Sequence, residues 1–371
     1  MPDDPFSEEY RQLQFDLYHR IAGKRYELAN EATVFDVAAA TRRPFPFSTG
    51  SAGTVGESLI STGFIVRSMN LDAGSRVLEL GSGWGTMTMA LGLLGHSVTA
   101  LDVEPRFCEL VRRRAAHDGL PVTVVNDDFA WVESADQSFD AVLFTSSFHH
   151  AADHLRLLRS LHRVLRPGGR VFFGSEPINA DLPYPWGLRL DGQSLWSIRK
   201  HGWLELGFNE RYFAEALRRT GWFARKHVAA DPTWLTVWEA HPRATAALRF
   251  TAGDGTLHTA AGVADGGSIA LDPARAGIAL FGPYITLPAD RYIARILFRA
   301  AAARRGQALM DVAADSGRRR IATRAFDLAE GPPIAELPFQ SDDELRLLEV
   351  RLFCSEGCSA IIEAVEIAPA E

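Results

Sequence analysis

The chain has 371 residues, of which 46 are acidic and 39 basic, so its formal net charge is −7. This balance argues against a strongly basic nucleic-acid-binding protein. The apolar share of 47% excludes a wholly disordered chain. A chain of this length is typical of two domains.

The sequence favours a soluble, reduced, cytoplasmic protein. No apolar run reaches the ~20 residues that a membrane-spanning helix needs, so no membrane span is expected. The N-terminus lacks the pattern of a secretory signal. The three cysteines (Cys108, Cys354 and Cys358) cannot build a disulfide framework, and no Cys/His cluster has zinc spacing, so no metal site is predicted.

Residues 1–55 begin with a helical pattern, in which Tyr10, Leu13, Leu17 and Ile21 recur at helical spacing. A stretch rich in turn-forming residues follows. We expect this N-terminal helical arm to end in a loop, at residues 42–47, that helps to close a site. Arginines in that loop could hold an anionic group or stay solvated.

Residues 56–242 alternate strand and helix signals, which predicts an α/β domain. The predicted strands are near-continuous apolar runs, as expected for a doubly wound parallel sheet covered by helices on both faces. The last two strands are joined by only four residues, too few for a parallel crossover, so they should form an antiparallel hairpin. The predicted strands are 76–79, 98–102, 122–125, 140–144, 170–174, 223–229 and 234–240, and the predicted helices are 86–94, 105–117, 155–165 and 211–219.

Residues 243–371 have a different pattern, in which turns become frequent and short runs alternate apolar and polar residues. In the run 345–353, Leu348, Val350 and Leu352 share one face. The runs 292–299 and 309–315 behave similarly. Strands at this spacing predict an all-β sandwich.

The sharpest signal is the segment VLELGSGWGT, which lies between the first predicted strand and a helix. Gly81, Gly83 and Gly85 provide bare backbone against which a ligand can lie. Asp102, at the end of the second strand, is placed to accept hydrogen bonds from ribose hydroxyls. The pattern fits either a dinucleotide or S-adenosylmethionine, and the acidic Glu79 suits a cationic amino acid better than a pyrophosphate.

These residues resemble class I S-adenosylmethionine-dependent methyltransferases over residues 56–242. The resemblance implies a Rossmann-like, seven-stranded sheet whose last hairpin is antiparallel. It also implies that the loop holds the methionyl and ribose part of the cofactor, that an acid after the third strand binds adenine, and that the end of the fourth strand lines the methyl end. The implied cofactor-binding residues are Glu79, Gly81, Ser82, Gly83, Gly85, Asp102, Val103, Asp128 (with Asp127 as its rival), Phe129 and Ser146.

Methyl transfer to a hydroxyl group needs a base that removes the hydroxyl proton. His149 and His150 follow the fourth strand, and histidine has a reference pKa near working pH. Either histidine could instead shape the cofactor pocket. Glu176 follows the fifth strand and could bind an acceptor hydroxyl, act as the base, or be a turn residue.

The insertion 177–208 within this domain is rich in aromatic residues, which suit the apolar faces of a sugar ring. The same tryptophans could instead anchor a long loop to the core. The predicted substrate-binding residues are Tyr184, Trp186, Arg189 and Trp196.

The tail, residues 243–371, resembles the β-sandwich, carbohydrate-binding-like modules of bacterial polysaccharide enzymes. The resemblance rests on the segments FGPYITLPADRYIARILF and LLEVRLF. It implies a glycan-binding or purely architectural accessory unit.

We therefore expect a methyltransferase that O-methylates a sugar or glycan-type acceptor in surface-polysaccharide or glycolipid assembly. The alternatives are a methyltransferase of a small metabolite, acting on oxygen, nitrogen or carbon, and a non-catalytic glycan-binding scaffold. The sequence leaves open whether the chain forms a homo-oligomer.

Overall fold

The computed structural model describes residues 2–43, 45 and 51–370. The chain divides into two compact units, residues 1–222 with 227–242, and residues 223–226 with 243–371. The predicted boundaries after residues 55 and 242 stay predictions, and a helix, Ala52–Met69, runs through the first of them.

The first unit is an α/β structure whose helices begin at side-chain caps. Ser7, Asp36 and Ser51, for example, each accept a hydrogen bond from the backbone N–H three residues later. The helices are α1 (Glu8–Ala22), α2 (Val37–Thr41), α3 (Ala52–Met69), α4 (Thr86–Leu93), α5 (Pro105–His117), α6 (His154–Ser160), α7 (Gly192–Lys200) and α8 (Glu210–Arg219).

The main sheet of this unit has the strand order β3-β2-β1-β4-β5-β10-β9. The first five strands of the chain pair in parallel, and β10 runs antiparallel to β5. The predicted Rossmann-like, seven-stranded sheet with an antiparallel last hairpin is thereby confirmed. Its strands are β1 (Arg76–Leu80), β2 (Ser97–Asp102), β3 (Val122–Asn126), β4 (Phe139–Thr145), β5 (Leu165–Gly174), β9 (Trp222–Val228) and β10 (Thr236–Pro242).

Three local features differ from the predictions. Helix α3 was not predicted, because its sequence is rich in Gly, Ser and Thr. The predicted helix 155–165 ends as α6 at Ser160 and continues as a 3-10 turn, Leu161–Val164. Strand β5 then begins at Leu165, ahead of the Pro-Gly-Gly segment, because the pairing with β4 shifts register there and accommodates the turn residues.

Helix α1 packs through a face other than its aliphatic one. Its buried residues are Tyr10, Gln14 and Tyr18, whereas Leu13 is exposed. The Tyr10 hydroxyl donates to the Trp186 carbonyl oxygen at 2.9 Å, and the Gln14 side-chain oxygen accepts from the Leu188 N–H at 3.2 Å. The N-terminal arm is therefore fastened to the insertion by polar contacts that a hydrophobic pattern does not predict.

The insertion 177–208 is ordered rather than a long loop. It contains α7 and most of a small sheet in the order β6-β8-β7, with β6 parallel and β7 antiparallel to β8. The strands are β6 (Ile178–Asn179), β7 (Trp186–Leu188) and β8 (Leu206–Asn209).

The second unit consists of two antiparallel sheets around a shared apolar core. The predicted alternation in 345–353 is present, since Leu348, Val350 and Leu352 are fully buried in that core. One sheet has the order β18-β17-β20-β15, with β14 also beside β20, and the other has the order β12-β13-β21-β16-β19, with β11 also beside β21.

The strands of the second unit are β11 (Leu248–Phe250), β12 (Gly262–Asp265), β13 (Ser268–Leu271), β14 (Gly277–Leu280), β15 (Pro283–Leu287), β16 (Asp290–Phe298), β17 (Gln307–Ala314), β18 (Arg319–Asp327), β19 (Ile334–Ser341), β20 (Leu345–Cys354) and β21 (Ile361–Pro369). Across the described part of the chain, no helix has the length and apolarity needed to cross a membrane.

The contact between α3 and the end of β5 can be tested by overpacking. A Cβ atom added at Gly174 would lie 2.6 Å from Cδ1 of the fully buried Ile65. We expect Gly174→Ala to lower the free energy of unfolding by about 1–3 kcal/mol. Ile65→Ala vacates that space, so the double variant should lose less stability than the sum of the single variants, as measured by urea unfolding. Simple additivity would contradict this packing.

Candidate functional site

The loop after β1 turns sharply back over the neighbouring strand. Gly81, Gly83 and Gly85 all have positive φ angles, of 77°, 47° and 75°. The N–H groups of Gly81 and Ser82 both donate to the Leu101 carbonyl oxygen, at 2.8 and 3.1 Å. A Cβ atom at Gly83 would meet nothing within 4 Å, so this part of the loop presents bare backbone to open space.

The carboxylate of Asp102 holds this loop from the end of β2. One of its oxygens accepts from the Gly83 N–H at 2.7 Å, and the other accepts from the Glu104 N–H at 2.9 Å. Burial raises the pKa of Asp102 to about 6, although both backbone hydrogen bonds act in the opposite direction. The predicted pairing of a glycine loop with a second-strand acid is thus present as a direct contact.

Glu79 lies in the interior directly before the loop, with 2% of its surface exposed. Its carboxylate accepts a hydrogen bond from the Thr88 hydroxyl. Burial raises the pKa of Glu79 to about 8, and no cationic side chain pairs with it within the described ranges. Ser82 Oγ is also buried and finds no hydrogen-bond partner there. The loop region therefore contains an uncompensated acid and an unused hydroxyl group.

The residues after β3 bring one aromatic ring close to the glycine loop. The Phe129 ring lies 3.7 Å from the position of a Cβ at Gly81. The Asp128 carboxylate accepts from the Ala130 N–H at 2.7 Å and starts the 3-10 turn Phe129–Glu133. The Val103 carbonyl oxygen accepts from the Asn126 side-chain amide at 3.0 Å. Of these residues, Phe129 lies next to the loop, as Asp102 does.

The end of β4 is tied to both neighbouring strands. Ser146 has a φ of 50°, and its hydroxyl donates to the Ser175 carbonyl oxygen at 2.9 Å. The Ser147 hydroxyl donates to the Leu80 carbonyl oxygen at 2.6 Å, just before the glycine loop. The residues that follow β4 therefore lie next to that loop.

Glu176 organises the turn after β4. Its carboxylate accepts backbone N–H groups from Ser147, Phe148 and His149 at 2.8, 2.9 and 3.2 Å. It also lies 2.9 Å from Nδ1 of His149, so one buried acid fixes both the backbone and the ring of this histidine. A carboxylate at Nδ1 leaves Nε2 directed away from it.

Two further acids complete what we call the ionisable cluster, which consists of Glu31, His149, His150, Glu176 and Glu205. Nε2 of His149 lies 3.7 Å from the Glu205 carboxylate, and Nδ1 of His150 lies 3.4 Å from the Glu31 carboxylate. The two imidazole centroids are 4.1 Å apart. Glu31 also accepts the Leu204 N–H at 2.9 Å, which joins the N-terminal arm to the insertion.

The ionisable cluster has strongly perturbed proton affinities. Burial raises the pKa of Glu31 to about 7 and also raises that of Glu205. Burial and the neighbouring His149 lower the pKa of His150. For His149 burial acts downwards, but the Glu176 and Glu205 carboxylates outweigh it and raise the pKa.

The four predicted substrate-binding residues occupy different positions. Tyr184 donates to the Leu188 carbonyl oxygen at 2.6 Å, and the buried Trp186 donates its indole N–H to the Pro5 carbonyl oxygen at 2.7 Å. Trp196 is half exposed beneath the Lys200 ammonium. Arg189 lies 3.7 Å from the Glu205 carboxylate and is the one of the four with an ion pair to the ionisable cluster in the described chain.

The N-terminal arm also covers the glycine loop. The Thr33 N–H donates to the Glu104 carboxylate at 2.9 Å, and the Phe35 ring lies 4.6 Å from the Trp84 ring. Within the predicted closing loop at 42–47, residues 44, 46 and 47 lie outside the described residues. Glu31 and Glu205 were missed by the sequence analysis because neither belongs to a recognisable motif.

Part of the first unit is similar to known proteins. Residues 78–173 match the family described as a methyltransferase domain. A demethylmenaquinone methyltransferase of Clavibacter sepedonicus is 37% identical over 109 residues, 29% of this chain and 44% of that protein. The methyltransferase GfsG of Streptomyces halstedii is 32% identical over 174 residues, 45% of this chain and 62% of that protein.

A ubiquinone biosynthesis O-methyltransferase of Proteus mirabilis (strain HI4320) is 30% identical over 103 residues, 28% of this chain and 42% of that protein. The chain thus spans less than two thirds of the length of these relatives. Among solved structures, PigF with SAH aligns at a TM-score of 0.44 and 16% identity, over 63% of this chain and 68% of that chain.

The glycine loop offers a matched pair of substitutions. Both Gly81 and Gly83 have positive φ, so alanine strains either position by about 1–2 kcal/mol. A Cβ at Gly81 would also lie 2.5 Å from Cβ of Ser147. We expect Gly81→Ala to lower the free energy of unfolding by about 1–3 kcal/mol more than Gly83→Ala, as measured by urea unfolding. Equal losses would contradict this placement of the loop against the end of β4.

Proposed function

Since residues 78–173 form an S-adenosylmethionine-dependent methyltransferase domain, we propose that the whole chain is an enzyme that methylates a hydroxyl group of a small molecule. The observation that carries the proposal is the placement of the ionisable cluster beside the glycine loop, linked through the Ser147–Leu80 hydrogen bond. The glycine loop provides a place for the methyl donor, and the ionisable cluster provides groups that can take a proton.

The residues of the loop fit this cofactor. Gly83 leaves room at the backbone, Ser82 Oγ has no partner within the described chain, and the buried Glu79 carries an acid that a cationic ligand can stabilise. Asp102 is proposed to bind the ribose, since each of its oxygens keeps a lone pair beyond its backbone bond. Asp128 and Phe129 are proposed to hold the adenine.

When bound, S-adenosylmethionine supplies an electrophilic methyl group on a sulfonium centre. The ionisable cluster is proposed to hold the acceptor and to remove the proton of its hydroxyl group, with His150 and His149 as the predicted bases. The cluster would take up the proton that the acceptor hydroxyl group loses when its oxygen receives the methyl group from sulfur. Glu176 acts as a positioning residue, because it holds His149 by ring and backbone.

The acceptor class is proposed from the polarity of the cluster. Two carboxylates (Glu31 and Glu205), two imidazoles and the Arg189 guanidinium offer several hydrogen-bonding groups to one ligand. Such a set of polar side chains suits a compound with several hydroxyl groups, and sugars are the first class of such compounds to test. Tyr184 and Trp186 contribute little to this argument, since both are hydrogen-bonded to the backbone of the protein.

A second candidate acceptor is a phenolic precursor of a quinone. It is favoured by the name of one relative, a ubiquinone biosynthesis O-methyltransferase. Release of S-adenosylhomocysteine from a panel of free sugars, glycosides and phenols tests both classes. Turnover with none of them would contradict a small-molecule hydroxyl acceptor.

The second unit is proposed to be an accessory β-sandwich. The alternative to an enzyme is a non-catalytic, glycan-binding scaffold. Calorimetric titration with S-adenosylmethionine separates the two, because a scaffold would show no saturable binding. A cytoplasmic location is proposed as well, since Cys108, Cys354 and Cys358 are free and buried.

Cofactor affinity should depend on pH through Glu79. Its raised pKa of about 8 means that the free protein carries a proton there at pH 6, whereas a cationic ligand favours the carboxylate. Affinity for S-adenosylmethionine should therefore rise between pH 6.0 and 7.5, by at most about tenfold per unit for one released proton. Over this range the ligand's own ammonium group stays largely charged.

Calorimetry in buffers of different ionisation enthalpy measures both the affinity and the released proton. Glu79→Gln serves as the control, because it removes this titration and should leave only the smaller pH dependence that Asp102, with a pKa of about 6, contributes at the low end of the range. A wild-type affinity that does not change with pH would contradict an ionised Glu79 in the complex.

The acceptor side is tested by His150→Ala. We expect the turnover number to fall by about 10²–10⁴-fold while the affinity for S-adenosylmethionine is kept, because His150 contacts the ionisable cluster and not the glycine loop. The matched control is His117→Ala, since the His117 side chain is 84% exposed at the end of α5. Full activity of the His150 variant would remove this residue from the reaction.

A further inference from the structure

We propose that His149, His150 and Glu205 bind a divalent transition-metal ion at the acceptor side of the site. This inference deepens the proposed function and rests on it only for the role of the ion, not for its binding. No motif in the sequence suggests the site, because Glu205 belongs to the insertion and the two histidines follow β4.

The three residues bring their ligand atoms together. One ring nitrogen of each histidine and one carboxylate oxygen of Glu205 all lie within 4.8 Å of one another. Metal–ligand bonds of about 2.0–2.2 Å allow two ligands of one ion to be separated by at most about 4.4 Å. Small side-chain rotations therefore suffice to bring all three atoms into one coordination sphere.

Glu176 supplies the support that a metal-binding histidine needs. A histidine ligand usually donates its second ring N–H to a carboxylate, which fixes the tautomer and raises the basicity of the coordinating nitrogen. His149 has this arrangement, since Nδ1 lies 2.9 Å from Glu176 while Nε2 faces Glu205 at 3.7 Å. The ring is thus held with Nε2 free to coordinate.

The charges around the cluster favour a cation. Glu31, Glu176 and Glu205 contribute three carboxylates, while Arg189 is the guanidinium that pairs with Glu205. The side chains of Glu31 and Glu205 are each only 10% exposed, and that of Glu176 is 1% exposed. These acids can all be ionised together only if their charge is compensated, and a divalent ion between the imidazoles and Glu205 would provide that compensation.

The types of ligand atom and the exposure of the cluster indicate the role of the ion. Two imidazoles and one carboxylate suit zinc, iron or manganese and leave coordination positions open. The His150 side chain is 25% exposed, so the cluster is not sealed from solvent. An acceptor with two neighbouring oxygens could fill the open coordination positions. With the ion bound, both histidines are ligands, so the role of base that is proposed for them in the metal-free protein passes to the nearby Glu31 carboxylate.

The test is a titration of the full-length, chelator-treated protein with Mn²⁺, followed by electron paramagnetic resonance, and a parallel calorimetric titration with Zn²⁺. We expect one saturable site per chain. Glu205→Gln and His150→Ala should each weaken binding at least tenfold, in line with loss of one ligand. Glu109→Gln and His117→Ala remove the same residue types from α5, where both side chains are solvent-accessible, and should bind as the wild type does.

Folding of the variants is checked by their binding of S-adenosylmethionine, which does not require the ligand residues. The absence of a saturable site for both ions, or binding that is unchanged in Glu205→Gln, would overturn the proposal. A metal-free protein that binds the cofactor and methylates an acceptor at full rate would overturn the role of the ion and leave the proposed function standing. Failure to bind the cofactor would instead count against the proposed function.

Discussion

The candidate site depends on a single buried carboxylate, that of Glu176. It accepts three backbone N–H groups from the turn after β4 and holds the ring of His149. Hydrogen bonds to a charged group contribute about 1.5–3 kcal/mol each, so this turn is fixed far more firmly than an ordinary loop. Because the same turn bonds to the Leu80 carbonyl oxygen through Ser147, the position of the histidines is also fixed relative to the glycine loop.

The Rossmann-like sheet supplies only part of the ionisable cluster. Glu31 comes from the N-terminal arm and Glu205 from the insertion, and the two segments are joined by the Leu204 N–H bond to Glu31. Helix α1 reinforces this junction, since Tyr10 and Gln14 bond to the backbone of β7. The sheet thus positions the histidines, and segments outside the sheet position the acids that face them.

Buried acidic side chains are the electrostatic feature that the glycine loop and the ionisable cluster share. Glu79 and Asp102 lie at the glycine loop, and Glu31 and Glu205 lie at the cluster, all with raised pKa values because of burial. Backbone N–H groups hold Asp102 and Glu31 in place, whereas the side chains of Thr88 and Ser197 hold Glu79 and Glu205. Binding of a cation would stabilise the ionised form of these acids, and the proposed cations are a sulfonium at the loop and a metal ion at the cluster.

The sequence alone determined the alternation of strands and helices, the antiparallel last hairpin and the glycine loop next to Asp102. Each depends on residues close together in the chain, where apolar periodicity and glycine positions act directly. The alternating strands of the second unit were visible for the same reason. Helix α3 was not, because Gly, Ser and Thr have weak helix propensity and the helix forms by packing Ile65 and Met69 into the core.

Only the tertiary structure decided which residues meet at the acceptor side. The aromatic composition of the insertion predicted that Tyr184 and Trp186 bind the substrate. Both are instead hydrogen-bonded to backbone groups, and Trp186 holds the N-terminal segment. Glu31 and Glu205 carry no local signal, since an isolated acid resembles any surface residue until the fold buries it beside a histidine. Local patterns specify elements of structure, whereas a cluster built from four distant segments exists only once the chain is folded.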